Sequence, residues 1–279
     1  MRQLRECDSA QLYTGVSKCP PDFGKMKAAI LVKPGTKLPA DLTEEGLEQL
    51  VHADREERIY GIVGFCEYAK NGYEVQTSAK GYGSERVTGI SARKDTFDLD
   101  KFYPELDASL MATSNVKWDV YFIDEDSFIH GMDDGTDVLA GYPMSSVYGE
   151  STPFPTSSEQ ASMQVVFCHV DAKKAKRYGD YVPLGFRFDP DSLVLGILPV
   201  KLVKGEDGYK LHEAKGGYDL TGIYGPLIAT AADKVLEGAT AATYNAATKT
   251  LVIADGGEVR LKAPSILYEH GIKGIEQIA

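Results

Sequence analysis

Residues 118–137 are WDVYFIDEDSFIHGMDDGTD. In an extended chain Trp118, Val120 and Phe122 fall on one face, with Tyr121 and Ile123 on the other. Apolar character on both faces predicts a strand covered on both sides. Asp124-Glu125-Asp126-Ser127 reads as a turn, and Phe128-Ile129-His130 as a short returning strand. Seven carboxylates lie from Asp119 to Asp137, with no Lys or Arg among them. An aromatic hairpin thus carries a negative tip.

N-terminal to this stretch, Asn71-Gly72 is a strong hairpin signal, because both residues tolerate positive φ. It predicts a hairpin over Ile59–Lys80, a break at Gly81-Tyr82-Gly83, and a third strand around Arg86–Arg93. A helix is expected over Asp41–Arg55, capped by Asp41 with Glu44, with an apolar stripe of Leu47, Leu50 and Val51. A second, short helix is expected over Asp98–Ala112, with Pro104 in its first turn and Leu106, Leu110 and Met111 on one face. Residues 1–40 read as an irregular N-terminal arm holding one buried strand, Ala28–Val32, after a hinge at Cys19–Gly24. Residues 131–158 read as a long loop. Its prolines and glycines deny it a regular pattern, yet Tyr142, Met144, Tyr148 and Phe154 are too apolar to leave in water. A neighbouring subunit is the expected cover, with Tyr142, Pro143, Met144 and Tyr148 as interface anchors.

Ser162–Val170 reads as a strand, and the basic run Asp171–Asp180 as a connector between domains. The expected organisation is a β domain over residues 1–175 and a smaller β domain over 176–279. Further strands are expected at Gly185–Phe188, Leu193–Val203 and Tyr209–Glu213, and a hairpin turns at Asn245–Lys249. No long amphipathic helix is expected after residue 112, and Ile266–Ala279 is apolar enough to dock. The fold class is therefore mainly β, a sandwich or barrel with one or two short helices.

The net charge is −11, and residues 1–175 carry most of it, with 18 basic against 28 acidic residues. That balance opposes a broad grip on DNA or on an anionic membrane. No apolar run reaches the roughly 18 residues of a membrane span, and the polar start MRQLRECDSA lacks the apolar core of a signal peptide. Cys7, Cys19, Cys66 and Cys168 form no C-x-x-C pair, which favours unpaired thiols in a cytosolic product. No EF-hand spacing converges the acidic tip on a cation, and the five histidines show no metal-binding spacing. His169 reads as a packed strand residue. GYGSER fails as a dinucleotide loop, because Arg86 stands where a glycine is needed. No nucleophile elbow or phosphate loop occurs. The expectation is no enzyme, no metal and no cofactor.

The hairpin at Phe65–Gln76, the helix near Pro104–Met111, the hairpin WDVYFIDEDSFIHG, the loop 131–158 and the strand SMQVVFCHV come in the order of a bacteriophage tail-tube or tail-hub protein, which residues 20–170 resemble. The run from GYGSERVTG through WDVYFID to MQVVFCHVD is similar to virion proteins of phages of gut Bacteroidota, including crAss-like phages. The C-terminal segment looks like an appended immunoglobulin-like domain or a second barrel. The resemblance implies a virion tail protein assembled in the host cytoplasm. It implies rings of identical subunits, hexamers or dodecamers, that meet other tail or connector proteins and pass DNA without binding it specifically. Asp124, Glu125, Asp126, Asp133, Asp134 and Asp137 are then candidates for lumen charge, or else outer-surface turns. A capsid decoration or carbohydrate-binding β-sandwich is the alternative.

Overall fold

The computed structural model describes residues 23–39, 41–79, 81–157, 160–190 and 196–278. The chain is mainly β. It begins with β1 (Met26–Val32), α1 (Glu44–Val51), β2 (Tyr60–Val63), β3 (Phe65–Gly72), β4 (Val75–Ser78), β5 (Arg86–Ile90), β6 (Arg93–Leu99), α2 (Pro104–Thr113), β7 (Trp118–Asp124) and β8 (Phe128–Met132). It continues with β9 (Tyr142–Thr152), β10 (Ser162–His169), α3 (Ala172–Tyr178), β11 (Gly179–Pro183), β12 (Leu198–Gly205) and β13 (Gly208–Glu213). It ends with α4 (Thr221–Thr230), α5 (Ala232–Val235), β14 (Leu236–Asn245), β15 (Thr250–Leu261), α6 (Pro264–Glu269) and β16 (Ile275–Gln277). Two units result, one of Met1–Glu44 with Gly61–Leu193, the other of Glu45–Tyr60 with Val194–Ala279.

In the first unit β7 is the central strand. One edge pairs antiparallel with β1, from Val32↔Asp119 to Met26↔Asp124. The other edge is shared, with Trp118–Val120 on β9 and Phe122 and Ile123 on β8. The sheet then runs β9-β10-β6-β3, while β8 carries β11 on its far side. β2 pairs with β1, and only Gly64 separates β2 from β3. The chain itself therefore carries the sheet from β1 round to β6, and a nearly closed barrel forms. Strand alternation sends Leu31, Phe65, Phe97, Phe122, Val165 and Phe167 into one interior cluster. Burying each such side chain contributes about 1.5–3 kcal/mol. Leu110 of α2 joins the same cluster, whereas Met111 on that helix is exposed. The double coverage expected of β7 is present, since Val120, Tyr121, Phe122 and Ile123 are all buried.

The expected loop 131–158 is largely a strand. Residues Tyr142–Thr152 form β9, paired with β10 from Met144↔His169 to Thr152↔Ser162. Strand partners far away in sequence override the Pro and Gly content. Tyr142 and Met144 are consequently buried inside their own barrel, so neither is available as an interface anchor. Pro143 and Tyr148 are half-buried and also lie within β9, opposite Asp119 and Val166.

Asn71-Gly72 does not close a hairpin between β3 and β4. β3 pairs with β6 along Phe65–Gly72, and β4 pairs with β5 as a separate ribbon. Gly72 (φ +76°) and Tyr73 (φ +66°) form an irregular joint opposite Ser91 and Ala92. Strands 65–78 and 86–99 are thus one long antiparallel arm. Its inner half belongs to the barrel, and its outer half is exposed on both faces of β4.

The sequence-derived boundary after residue 175 falls within the first unit. Asp171 caps α3 by accepting the backbone N–H of Lys174 at 2.9 Å, and β11 then pairs with β8. Likewise α1, which falls within residues 1–175 of the expected first domain, groups with the second unit. There Glu48 accepts hydrogen bonds from Tyr268 and Lys273, and Arg58 pairs with Glu276 at 2.8 Å. The second unit holds a sheet in the order β14-β15-β13-β12-β16. Its core includes Leu211, Ile228, Val235, Leu251 and Leu267. Helices α4 to α6 all lie beyond residue 112. Gly222, Gly225 and Pro226 read as helix breakers in sequence. At Gly225 a Cβ would come 2.6 Å from the Tyr244 ring, so the glycine permits α4 to approach β14 closely. The expected strand Gly185–Phe188 is not formed, and β12 begins only at Leu198. Residues 1–22, including the Cys19 hinge, lie outside the described residues.

Candidate functional site

An opening of the barrel lies beside the start of β1, β6 and β9, where residues of β3, β7 and β8 also reach it. A cleft of about 480 Å³ occupies it. The rings of Phe97, Phe122 and Tyr142 line its apolar part, and Arg93, Asp95, Tyr68 and His130 line its polar part. The aromatic lining is continuous with the core. Phe65 stacks on Phe97 at 4.5 Å, Phe97 lies 5.4 Å from Phe122, and Phe122 lies 6.1 Å from Tyr142.

Asp95 organises the polar part. Its side chain is 2% exposed, and it points inward because strand alternation puts it on the face of Phe97 and Leu99. His169 Nε2–H donates to Asp95 Oδ2 at 2.7 Å, and Tyr68 donates its hydroxyl to Oδ1 at 2.8 Å. Arg93 Nε lies 2.8 Å from Oδ2, with the Tyr73 ring 4.7 Å from its guanidinium. Burial alone raises the Asp95 carboxyl, but the His169 hydrogen bond and the Arg93 charge outweigh it, and the net shift is downward. Burial, with the negative Asp95 beside it, pushes the Tyr68 hydroxyl well up. Burial also pushes Tyr142 up to about 12. All these hydroxyls are therefore protonated donors at neutral pH. His169, expected to be a packed strand residue, is buried, and its Nδ1 has no partner among the described residues.

The acidic hairpin tip is a different site from the one its composition suggests. Asp124 is 1% exposed and cannot contribute lumen charge. Its Oδ1 accepts the backbone N–H groups of Asp126 at 3.1 Å and Phe128 at 2.8 Å, and its Oδ2 lies 3.0 Å from His130 Nε2. The carboxylate fixes the turn at Ser127, whose φ is +64°. Asp119 similarly accepts the Gly35 N–H at 2.7 Å. Glu125 and Asp126 are exposed, although Glu125 accepts the Lys25 N–H at 3.1 Å. Asp134 and Asp137 are exposed and Asp133 half-buried. Asp134 pairs with Lys37, and hydrogen bonds from Lys37 and Thr136 draw its carboxyl down to about 2. No cluster of three or more His, Cys, Asp or Glu side chains able to hold a metal occurs among the described residues. No described helix is long and apolar enough to cross a membrane.

The cleft is not among the sites expected from the sequence. The signal was available in RKDTFDL at 93–99, where Arg93 and Asp95 share the phase of Phe97 and Leu99. A strand that sends charges inward with its aromatics marks a buried polar network. No protein-family model matches this chain, and no curated protein matches its sequence.

Proposed function

We propose that this chain is a ring-forming structural protein of a bacteriophage tail, whose stacked rings make a conduit for DNA ejection. The observation that supports this reading best is the β4–β5 ribbon. An isolated two-stranded ribbon is marginally stable in water. This one exposes Val75, Val87 and Tyr82, surface that a neighbouring copy would cover. A ribbon from one copy laid on a different surface of the next is a heterologous contact, and such contacts form a ring when the rotation between copies closes. Hexamers or dodecamers are the expected sizes, with other tail or connector proteins at the ends.

Charge supports the same reading. Glu125, Asp126, Asp133, Asp134 and Asp137 lie in turns at one end of the β7–β8 hairpin and the segment after it. Together with the acid excess of residues 1–175, they give DNA little to adhere to. The test is negative-stain electron microscopy of the purified protein, with its solution mass measured in parallel. Closed rings with a hole of roughly 20–40 Å, scaled from the dimensions of B-DNA, are expected. A monomer at every concentration argues for the decoration or carbohydrate-binding alternative instead.

A further inference from the structure

We propose that the barrel-mouth cleft of one copy receives the β4–β5 ribbon tip of the next, with the Tyr82 ring entering the aromatic pocket. The inference rests on the ring-forming reading and names the contact that would join the subunits. Two features of the chain are each incomplete alone. The first is the tip itself. Tyr82 is fully exposed, so it touches nothing in its own chain, and it sits between Gly81 and Gly83. The glycines leave the ring clear of bulky neighbours, as a side chain meant for insertion requires.

The second feature is the cleft. Its volume, about 480 Å³, accommodates one aromatic side chain with part of its turn. Phe97, Phe122 and Tyr142 offer ring edges and faces, the arrangement that aromatic pairs prefer. Arg93, Tyr68 and His130 stand at the polar side, within the same opening, where a phenolic hydroxyl needs partners. A tyrosine matches both halves, since its ring is apolar and its tip polar. Aromatic anchors in desolvated pockets are the commonest centres of protein interfaces.

The tip does not fill the cleft of its own copy. Cys66–Tyr68 and Arg93–Asp95 form one wall of the cleft, and the ribbon leaves the barrel beside Arg93, yet Tyr82 at its tip is fully exposed and so does not lie in that cleft. The pairing runs outward from Gly72↔Arg93 to Ser78↔Arg86, which carries the tip roughly 20 Å along the strands from Arg93. The contact is therefore between copies, and its two surfaces differ, as ring closure requires.

Cys66 lines the cleft and is exposed, which provides a direct test. In the full chain, Tyr82→Cys would place a second thiol opposite Cys66 of the neighbouring copy. Treatment with diamide, which accepts the two electrons and two protons, would join the two sulfurs in a disulfide. The expected result is a ladder of covalent oligomers on non-reducing gels. It should collapse on reduction and be absent from Tyr82→Cys/Cys66→Ser, and peptide mapping should find the 66–82 bridge. Separately, Tyr82→Ala should raise the concentration at which oligomers dissociate by at least tenfold, while Tyr82→Phe should raise it less. Both variants should keep the wild-type circular dichroism, because Tyr82 makes no contact within its own fold. Oligomers of wild-type mass that give no 66–82 bridge and ignore Tyr82→Ala would overturn this inference and leave the ring-forming reading intact. A wild-type chain that stays monomeric at every concentration overturns both.

Discussion

Replacing Asp95 by Asn tests the organisation of the barrel mouth most directly. The substitution keeps size and shape but removes the charge and one acceptor oxygen. Three donors face the native carboxylate, from His169, Tyr68 and Arg93. Tyr68 is half-exposed and can turn to water, and Arg93 is 21% exposed at its side chain. His169, 1% exposed, cannot escape. An Asn amide set against either His169 Nε2–H or Arg93 Nε–H places donor against donor. A stranded buried donor costs about 1–3 kcal/mol. Breaking a fully buried ion pair costs roughly 3–5 kcal/mol, and the partial exposure of Arg93 reduces that share. The sum is a loss of about 3 kcal/mol at pH 7.

The pH dependence has a definite sign. The Asp95 carboxyl is held below its ordinary value in the folded chain. Its contribution is therefore complete above the unfolded value, near pH 4, and is lost as the pH falls through the folded value. Urea unfolding followed by the fluorescence of Trp118, the only tryptophan, reports the first unit. The gap between wild type and Asp95→Asn should stay constant from pH 7 to 5 and narrow below about pH 4. A gap under about 0.5 kcal/mol at pH 7, the usual range of surface substitutions, would refute the reasoning. So would a gap unchanged at pH 3.

Other outcomes follow from the same geometry. Met144→Ala should destabilise the first unit by about 2–5 kcal/mol in the same assay, because Met144 fills the barrel and not a subunit contact; an effect on assembly alone would contradict this. Lys37→Ala should move the Asp134 carboxyl up toward the ordinary aspartate range by NMR titration, with a small loss of stability at neutral pH in proportion to that rise, since both groups are on the surface. Glu276→Ala should strand the buried Arg58 guanidinium and cost the second unit about 3 kcal/mol, read by calorimetry, at the low end for a buried pair because Glu276 is 20% exposed.

Local pattern alone determined several elements. Apolar residues on both faces of 118–123 specify β7, alternation in 162–169 specifies β10, and Ala28–Val32 specifies β1. Pro104 marks the start of α2, and the Asn245–Lys249 turn joins β14 to β15. Each of these signals is complete within a dozen residues. Tertiary structure decided what depends on distant partners. Tyr142–Thr152 became a strand because β7 and β10 present free edges to it, and its aromatics then turned inward. Asp124 lost its solvent exposure because the turn it begins needed an acceptor for two backbone N–H groups. Asp95 and His169, 74 positions apart, meet only because β6 and β10 pair. Sequence spacing cannot encode that meeting, because strand order and register are set by the packing of whole sheets. Nor could it show that α4 would tolerate two glycines and a proline, since the β14 surface that holds the helix forms only in the folded unit.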